Sequence, residues 1–257
     1  MPKTRKRFGQ HFLHHRNIID HLVRSINPQP GEQLLEIGPG RGALTYPLLK
    51  QCRTLTAVEL DRDLIPLLQR ESAEIGDLQI INQDILEFDI SSLESEGPFR
   101  LVGNLPYNIS TPLMFHLLHS VEQIQDMHFM VQKEVALRIV ARPGDSNYGR
   151  LSVMLQNRCT CEYLFDVPPG SFTPPPKVDS AVIRMLPHEA SIYDIGDPEL
   201  FAKIVQTAFS QRRKTISNSL KSLVEKEQLI ACSIDPGLRA ENLSISDFAR
   251  LSKARHS

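Results

Sequence analysis

Asn104-Leu105-Pro106-Tyr107 combines the residue types that a site for the amine of a flat base needs. The Asn104 carboxamide offers an acceptor, and the backbone carbonyl of Leu105 or Pro106 offers a second. Together they can take both N–H donors of an exocyclic amine. Such an amine is a weak nucleophile, because its lone pair is delocalised into the ring. Drawing on both hydrogens localises that pair and points it at an electrophile. Pro106 fixes φ and stiffens the turn that aims the acceptors. Tyr107 supplies an aromatic face on which a base can stack. The same four residues also suit an ordinary turn after a strand, so their setting decides between the two.

A second chemical signal lies upstream. Gly38-Pro39-Gly40-Arg41-Gly42-Ala43 fits G-x-G-x-x-[GA] between a strand-like and a helix-like segment, the pattern of a loop that cradles an adenosine-bearing cofactor. Glu59 ends the next apolar run, where a carboxylate accepts from ribose hydroxyls. Asp84 ends the third, where it could accept from an adenine amine. The glycine loop suits a nicotinamide dinucleotide as well as S-adenosylmethionine. Asp84 and the downstream Asn104 favour S-adenosylmethionine, because the chain shows no His, Tyr-Lys or Ser partner set for hydride transfer.

The elements that must position these residues read as regular α/β. Short apolar runs at 34–37, 55–59, 78–81, 99–103 and 127–131 predict parallel strands. Helical spacing predicts helices over 17–26, 44–49, 64–70, 112–118, 133–140 and 151–156. Two further runs, 163–167 and 181–185, flank the proline-rich stretch 168–177 and predict an antiparallel pair at the sheet edge. The expected fold is a doubly wound, mostly parallel seven-stranded sheet over residues 1–187. A small all-α domain follows over 188–257, with helices at 200–208, 217–229 and 246–251. In an open sheet the carboxyl ends of the strands line one crevice, which puts Gly38, Glu59, Asp84 and Asn104 on one rim.

Composition narrows the function classes. The chain has 257 residues, 41% hydrophobic and 23% charged, a folded-protein balance with no apolar run long enough to cross a membrane. Cys52, Cys159, Cys161 and Cys232 fit neither a zinc spacing nor a disulfide framework, so reduced thiols in a cytoplasmic protein are expected. His116 and His119 are three apart on a helix with no third ligand nearby, so no metal site is expected. Net charge is −1, yet residues 1–19 carry Lys3, Arg5, Lys6, Arg7 and Arg16 without an acid. Residues 200–224 carry Lys203, Arg212, Arg213, Lys214 and Lys221, again without one. Two such segments in a neutral chain predict local contact with polyanion phosphates.

Five motifs in register make a resemblance specific: Arg7-Phe8-Gly9-Gln10-His11-Phe12-Leu13, Glu36-Ile37-Gly38-Pro39-Gly40, Asn104 to Ser110, Phe172 to Val178, and Gln211 to Thr215. Over essentially its whole length the chain resembles the small-subunit ribosomal RNA adenine N6-dimethyltransferases, the KsgA family. The resemblance implies a class I S-adenosylmethionine-dependent methyltransferase fold. It also implies dimethylation at N6 of two adjacent adenosines in the 3′-terminal hairpin loop of 16S rRNA, on small ribosomal subunits during their biogenesis. By the same resemblance Leu13, Gly38, Glu59, Asp84 and Asn104 contact the cofactor, and Tyr107 and Phe172 sandwich the flipped adenine. A monomer without metal is expected, and the two basic segments are expected to hold RNA phosphates through Lys3, Arg5, Lys6, Arg7, Arg212, Arg213 and Lys214. Where the family has Asn, this chain has His11. A backbone contact with the cofactor would tolerate the change, whereas a side-chain contact would make affinity pH-sensitive.

Overall fold

The computed structural model describes residues 10–94, 97–190 and 192–256. Its strands are β1 (Phe12–Leu13), β2 (Leu34–Ile37), β3 (Thr54–Val58), β4 (Asp77–Ile81), β5 (Phe99–Asn104), β6 (Ile124–Gln132), β7 (Cys159–Val167), β8 (Phe172–Thr173) and β9 (Ser180–Pro187). Seven of them form one sheet in the order β4-β3-β2-β5-β6-β9-β7. The first five run parallel, and β9 adds antiparallel to β6. The seven-stranded, mostly parallel sheet expected from the sequence is therefore present. Of the two late strands only β7 lies at the edge, with β9 inside it. All of β2 and the first five residues of β5 are buried, as befits central strands covered on both faces.

The strands β1 and β8 form a separate antiparallel pair, Phe12 opposite Thr173 and Leu13 opposite Phe172. With His14 N–H donating to Ser171 O at 3.0 Å, this pairing pins the chain around residues 10–14 to the proline-rich loop.

Helices form where apolar spacing predicted them: Arg16–Ile26, Thr45–Cys52, Ile65–Ser72, Ser110–Leu117, Lys133–Val140 and Arg150–Gln156. The first stops at Asn27, which adopts the left-handed conformation with φ 49°. One expectation fails. The helix predicted over 217–229 is two short helices, Ile216–Leu220 and Lys226–Ala231. Glu225 breaks it by starting the second, its backbone N–H donating to Gln228 Oε1 at 2.9 Å, while Val224 is buried. The Gln211–Thr215 motif forms a turn after the helix Pro198–Phe209.

The chain divides into two compact units, one of residues 1–136 and 162–187, the other of 137–161 and 188–257. The sequence boundary at 187/188 thus describes only one of the crossings. The segment 137–161 was expected in the first domain. It belongs with the helices because Ala141, Tyr148 and Val153 join the apolar core of Phe201, Ile204 and Phe248. In the first unit, Arg100 ties the lower ends of β5 and β6 to a helix terminus. It makes two 2.9 Å bonds to Asp126, one of 2.7 Å to Glu32 and one of 2.6 Å to Ile26 O.

Candidate active site

Strand register assembles the rim. Ile37 stands opposite Val58, and Val58 opposite Ile81, so Gly38, Glu59 and Asn82 follow at one level. Glu36 stands opposite Val102, which carries Asn104 to the level of Gly38. Between β2 and β5 the strand order reverses, the switch point at which open α/β sheets hold ligands. The approach of these strands is close: a Cβ on Gly103 would stand 2.6 Å from Ile37 O.

Two adjoining hollows open along this rim. One is bounded by His11, Leu13, Glu36, Gly40, Asn104 and Tyr107, the other by Val58, Glu59, Asp61, Asp84, Ile85 and Asn108. Gln10, Gly38 and Pro106 line both. The cleft therefore runs from Asp84 and Glu59, past the glycine loop, to Asn104, in the order the sequence suggested.

Gly38 and Gly40 have φ of 67° and 59°, a left-handed backbone that only glycine takes without strain. Glu59 braces their loop: its carboxylate accepts from Gly40 N–H at 3.0 Å and from Asp61 N–H at 2.8 Å. Burial pushes the Glu59 carboxyl above its ordinary range, and those two N–H donors oppose the rise. Asp84 uses Oδ1 to accept from Leu86 N–H at 2.9 Å, so it caps a turn as well as lining the cleft.

At the other end, Asn104 Nδ2 donates to His11 O at 3.0 Å, which leaves Oδ1 as the acceptor of that amide. Leu105 N–H donates to Met130 O at 3.0 Å, and Pro106 O accepts from Ile109 N–H at 3.1 Å. The Pro106 carbonyl thus already accepts one bond within the turn, and Leu105 lines the same end of the cleft just before it. The Tyr107 hydroxyl bonds Ser180 Oγ at 2.6 Å, and burial raises its pKa. The His11 ring stacks on Tyr107 with centroids 5.3 Å apart. Its Nδ1 must carry a proton, because it donates to Pro174 O at 2.7 Å. His11 therefore meets Asn104 through its backbone and Tyr107 through its ring.

Not every expected residue comes to the cleft. Phe172 is 2% exposed and packs with Leu13, Leu44 and Met130 in the core, so the aromatic neighbour of Tyr107 is His11 instead. Phe172 serves the site by pairing β8 with β1. Lys3, Arg5, Lys6 and Arg7 lie outside the described residues. Arg212 is partly committed within its own unit, donating to Ser146 O at 2.6 Å and lying 3.8 Å from Glu241. Arg213 and Lys214 are exposed. His116 donates to Phe88 O at 2.8 Å, and no cluster of three metal-ligating side chains occurs among the described residues.

Two site residues escaped the sequence reading. Glu36 is 2% exposed and lines the cleft, and burial together with the Glu59 charge lifts its pKa to about 8. A lone acid in the buried run Leu34-Leu35-Glu36-Ile37 was the available signal. Ser180, which holds Tyr107, gave none, because its role arises from β9 adding antiparallel beside β6.

A family model described as "Ribosomal RNA adenine dimethylase" matches residues 1–256. The chain belongs to that family. An Alcanivorax borkumensis protein named ribosomal RNA small subunit methyltransferase A is 53% identical to this adenine dimethylase over 250 residues, 97% of this chain and 89% of that protein. The solved dimethyladenosine transferase from Plasmodium falciparum superposes with a TM-score of 0.79 at 26% identity, covering 94% of this chain and 96% of that one. The 23S rRNA methyltransferase ErmE, 24% identical over 95% of this chain and 98% of that one with a TM-score of 0.70, shares the fold.

This adenine dimethylase is a class I methyltransferase acting on ribosomal RNA, with S-adenosylmethionine as its cofactor. The residues present fit that group. Glu36 Oε2 is buried without a hydrogen-bond partner among the described residues, a place for a cationic donor. Apart from its chain neighbours, no atom of the described residues lies within 4 Å of where a Cβ on Gly38 would stand, so the loop is open at that point.

Proposed function

We propose that this enzyme dimethylates two adjacent adenosines at N6 in the 3′-terminal hairpin loop of 16S rRNA. It acts as a cytoplasmic monomer on small ribosomal subunits during their assembly. The observation that carries the catalytic part is the bond from Asn104 Nδ2 to His11 O. It fixes the carboxamide so that Oδ1 is the acceptor left for a substrate amine, at the end of the cleft that starts at Asp84. The choice of the small-subunit RNA rests on the 53% identical relative of that name.

When bound, S-adenosylmethionine supplies an electrophilic methyl group on a sulfonium. The chain's own residues bind and orient. Gly38, Gly40 and Leu13 shape the cofactor cleft, with His11 contributing through its backbone. Glu59 accepts from ribose hydroxyls with the lone pairs its loop contacts leave free, and Asp84 accepts from the adenine. Glu36 takes the ligand's cationic end. Tyr107 offers its ring to the flipped base, its tilt locked by Ser180 and His11. Asn104 Oδ1 and the Leu105 carbonyl accept hydrogen bonds from the two N6–H donors in the first transfer, only one such bond remains in the second, and positioning rather than acid–base chemistry lowers the barrier. No general base is needed, because the amine becomes acidic once alkylated and releases its proton to water. Arg213 and Lys214, with Arg212 and the basic residues Lys3 to Arg7, hold phosphates around the loop.

The test is transfer of labelled methyl groups to unmethylated small subunits, large subunits and DNA in parallel. Transfer to small subunits alone is expected. Equal transfer to large subunits would overturn the substrate assignment.

A further inference from the structure

The first unit carries a second surface feature that the cofactor site leaves unexplained. A groove runs between the helices Arg16–Ile26 and Thr45–Cys52. It begins at Phe12, Leu13 and Arg41, which also line the cofactor cleft. From there it passes Lys50 and ends beside Arg16 and Arg24. Its floor is apolar, with Ile19, Ala43 and Pro47 common to both halves.

The groove is strongly cationic in a chain whose net charge is −1. Arg16, Arg24, Arg41 and Lys50 line it against the single acid Asp20, so four positive charges less one negative leave three. Arg16, Asp20 and Arg24 recur every four residues and therefore share one helix face. Arg16, Arg24 and Lys50 are exposed and form no ion pair with a described residue. Arg41 is held in place at the cleft end, its guanidinium 4.4 Å from the Phe12 ring centre. Four arginine and lysine side chains around an apolar floor are set up to receive a polyanion. Neither the cofactor nor the target base carries a phosphate to answer them.

We infer that this groove is the track for the ribose-phosphate backbone of the rRNA strand that flanks the target adenosine. Continuity selects the occupant: the groove opens from the cleft at Arg41, so a strand whose base enters beside Tyr107 is led past Lys50 toward Arg24. Arg16 and Arg24 are eight residues apart, about 12 Å along a helix. That spans about three phosphates of a stacked strand. The inference rests on the proposed rRNA function, and the following experiment separates the two.

Binding of a 3′-terminal small-subunit RNA fragment is measured by fluorescence anisotropy across a salt series, for the wild type, Arg16→Glu/Arg24→Glu/Lys50→Glu and Asp20→Asn. S-adenosylhomocysteine affinity and circular dichroism serve as folding controls, and single substitutions stand in if the triple variant fails them. The triple variant is expected to bind RNA at least about tenfold more weakly. Its slope of log Kd against log salt should fall by about 2, three lost contacts at about 0.7 each for a single strand. Asp20→Asn should tighten binding. An unchanged Kd and slope in the triple variant would overturn the track. So would a loss seen with intact small subunits but absent with the naked fragment, since that pattern marks a protein partner. If the wild type transfers no methyl groups while the triple variant still loses RNA affinity, the track stands and the proposed reaction fails.

Discussion

Replacing Asn104 by Ala removes two interactions of different kinds, and their effects fall on different observables. The donor side of the amide makes one 3.0 Å bond to His11 O at a half-buried position. Such a bond contributes about 0.5–1.5 kcal/mol. Its loss loosens residues 10–13 over the cleft and should weaken S-adenosylhomocysteine binding about two- to tenfold, readable by calorimetry. The acceptor side is needed only as charge develops on the attacking nitrogen. Removing one preorganised polar group of that kind costs about 10²–10³ in kcat. Single-turnover methyl transfer on saturated small subunits should therefore fall by about that factor, with RNA affinity unchanged within about twofold. Asn104→Asp sharpens the test: it keeps an acceptor but sets a carboxylate oxygen against the His11 carbonyl, so cofactor binding should suffer more than in the alanine variant. Single-turnover rates for Asn104→Ala within about threefold of wild type would refute the role assigned to Oδ1.

The remaining predictions concern the frame. Gly103→Ala puts a methyl group 2.6 Å from Ile37 O, where backbone must move, and should lower stability by about 1–3 kcal/mol and disturb the cleft; an unchanged melting temperature would contradict it. Arg100→Met leaves Asp126, 4% exposed, without its partner. Breaking a buried pair this way costs about 3–5 kcal/mol, to be read by urea unfolding. Glu36 has its pKa raised by burial from 4.5 to about 8. Its proton is thus held more tightly in the folded state, and the stability it contributes is complete below about pH 4.5 and lost as pH rises through about 8. Glu36→Gln should flatten the decline in melting temperature between pH 5 and 8; an unaltered slope would place the titration elsewhere. Burial pushes the Cys159 thiol up to about 12, and raises Cys52, Cys161 and Cys232 as well. Native protein at pH 8 should therefore resist iodoacetamide, as intact mass will show.

Much of this fold could be read from the chain because its central parallel strands β2 and β5 are buried on both faces. Continuous apolar runs such as Leu34-Leu35 or Leu101-Val102 can end only at the rim where Gly38 and Asn104 stand. What escaped the reading depends on contacts between segments far apart in sequence. Glu59 looked like a ribose ligand and proves to be a brace for the glycine loop as well, because Gly40 N–H reaches it across 19 residues. Phe172 looked like a base-stacking ring, yet pairing of β8 with β1 draws it into the core, and the ring that meets Tyr107 is His11. The 217–229 segment has the right apolar spacing for one helix, and only the capping at Glu225 splits it. Segment 137–161 joins the helical unit through packing that no local pattern encodes.

The central claim is that the cleft ending at Asn104 dimethylates adenine N6 in small-subunit RNA. Its most direct test is nucleoside mass spectrometry, with position mapping, of unmethylated small subunits treated with the enzyme and S-adenosylmethionine. The account predicts N6,N6-dimethyladenosine at two adjacent positions in the 3′-terminal hairpin loop, formed about 10²–10³ times more slowly when Asn104→Ala replaces the wild type. Monomethyladenosine alone, modification of another base, or the same product from the variant at the wild-type rate would contradict it.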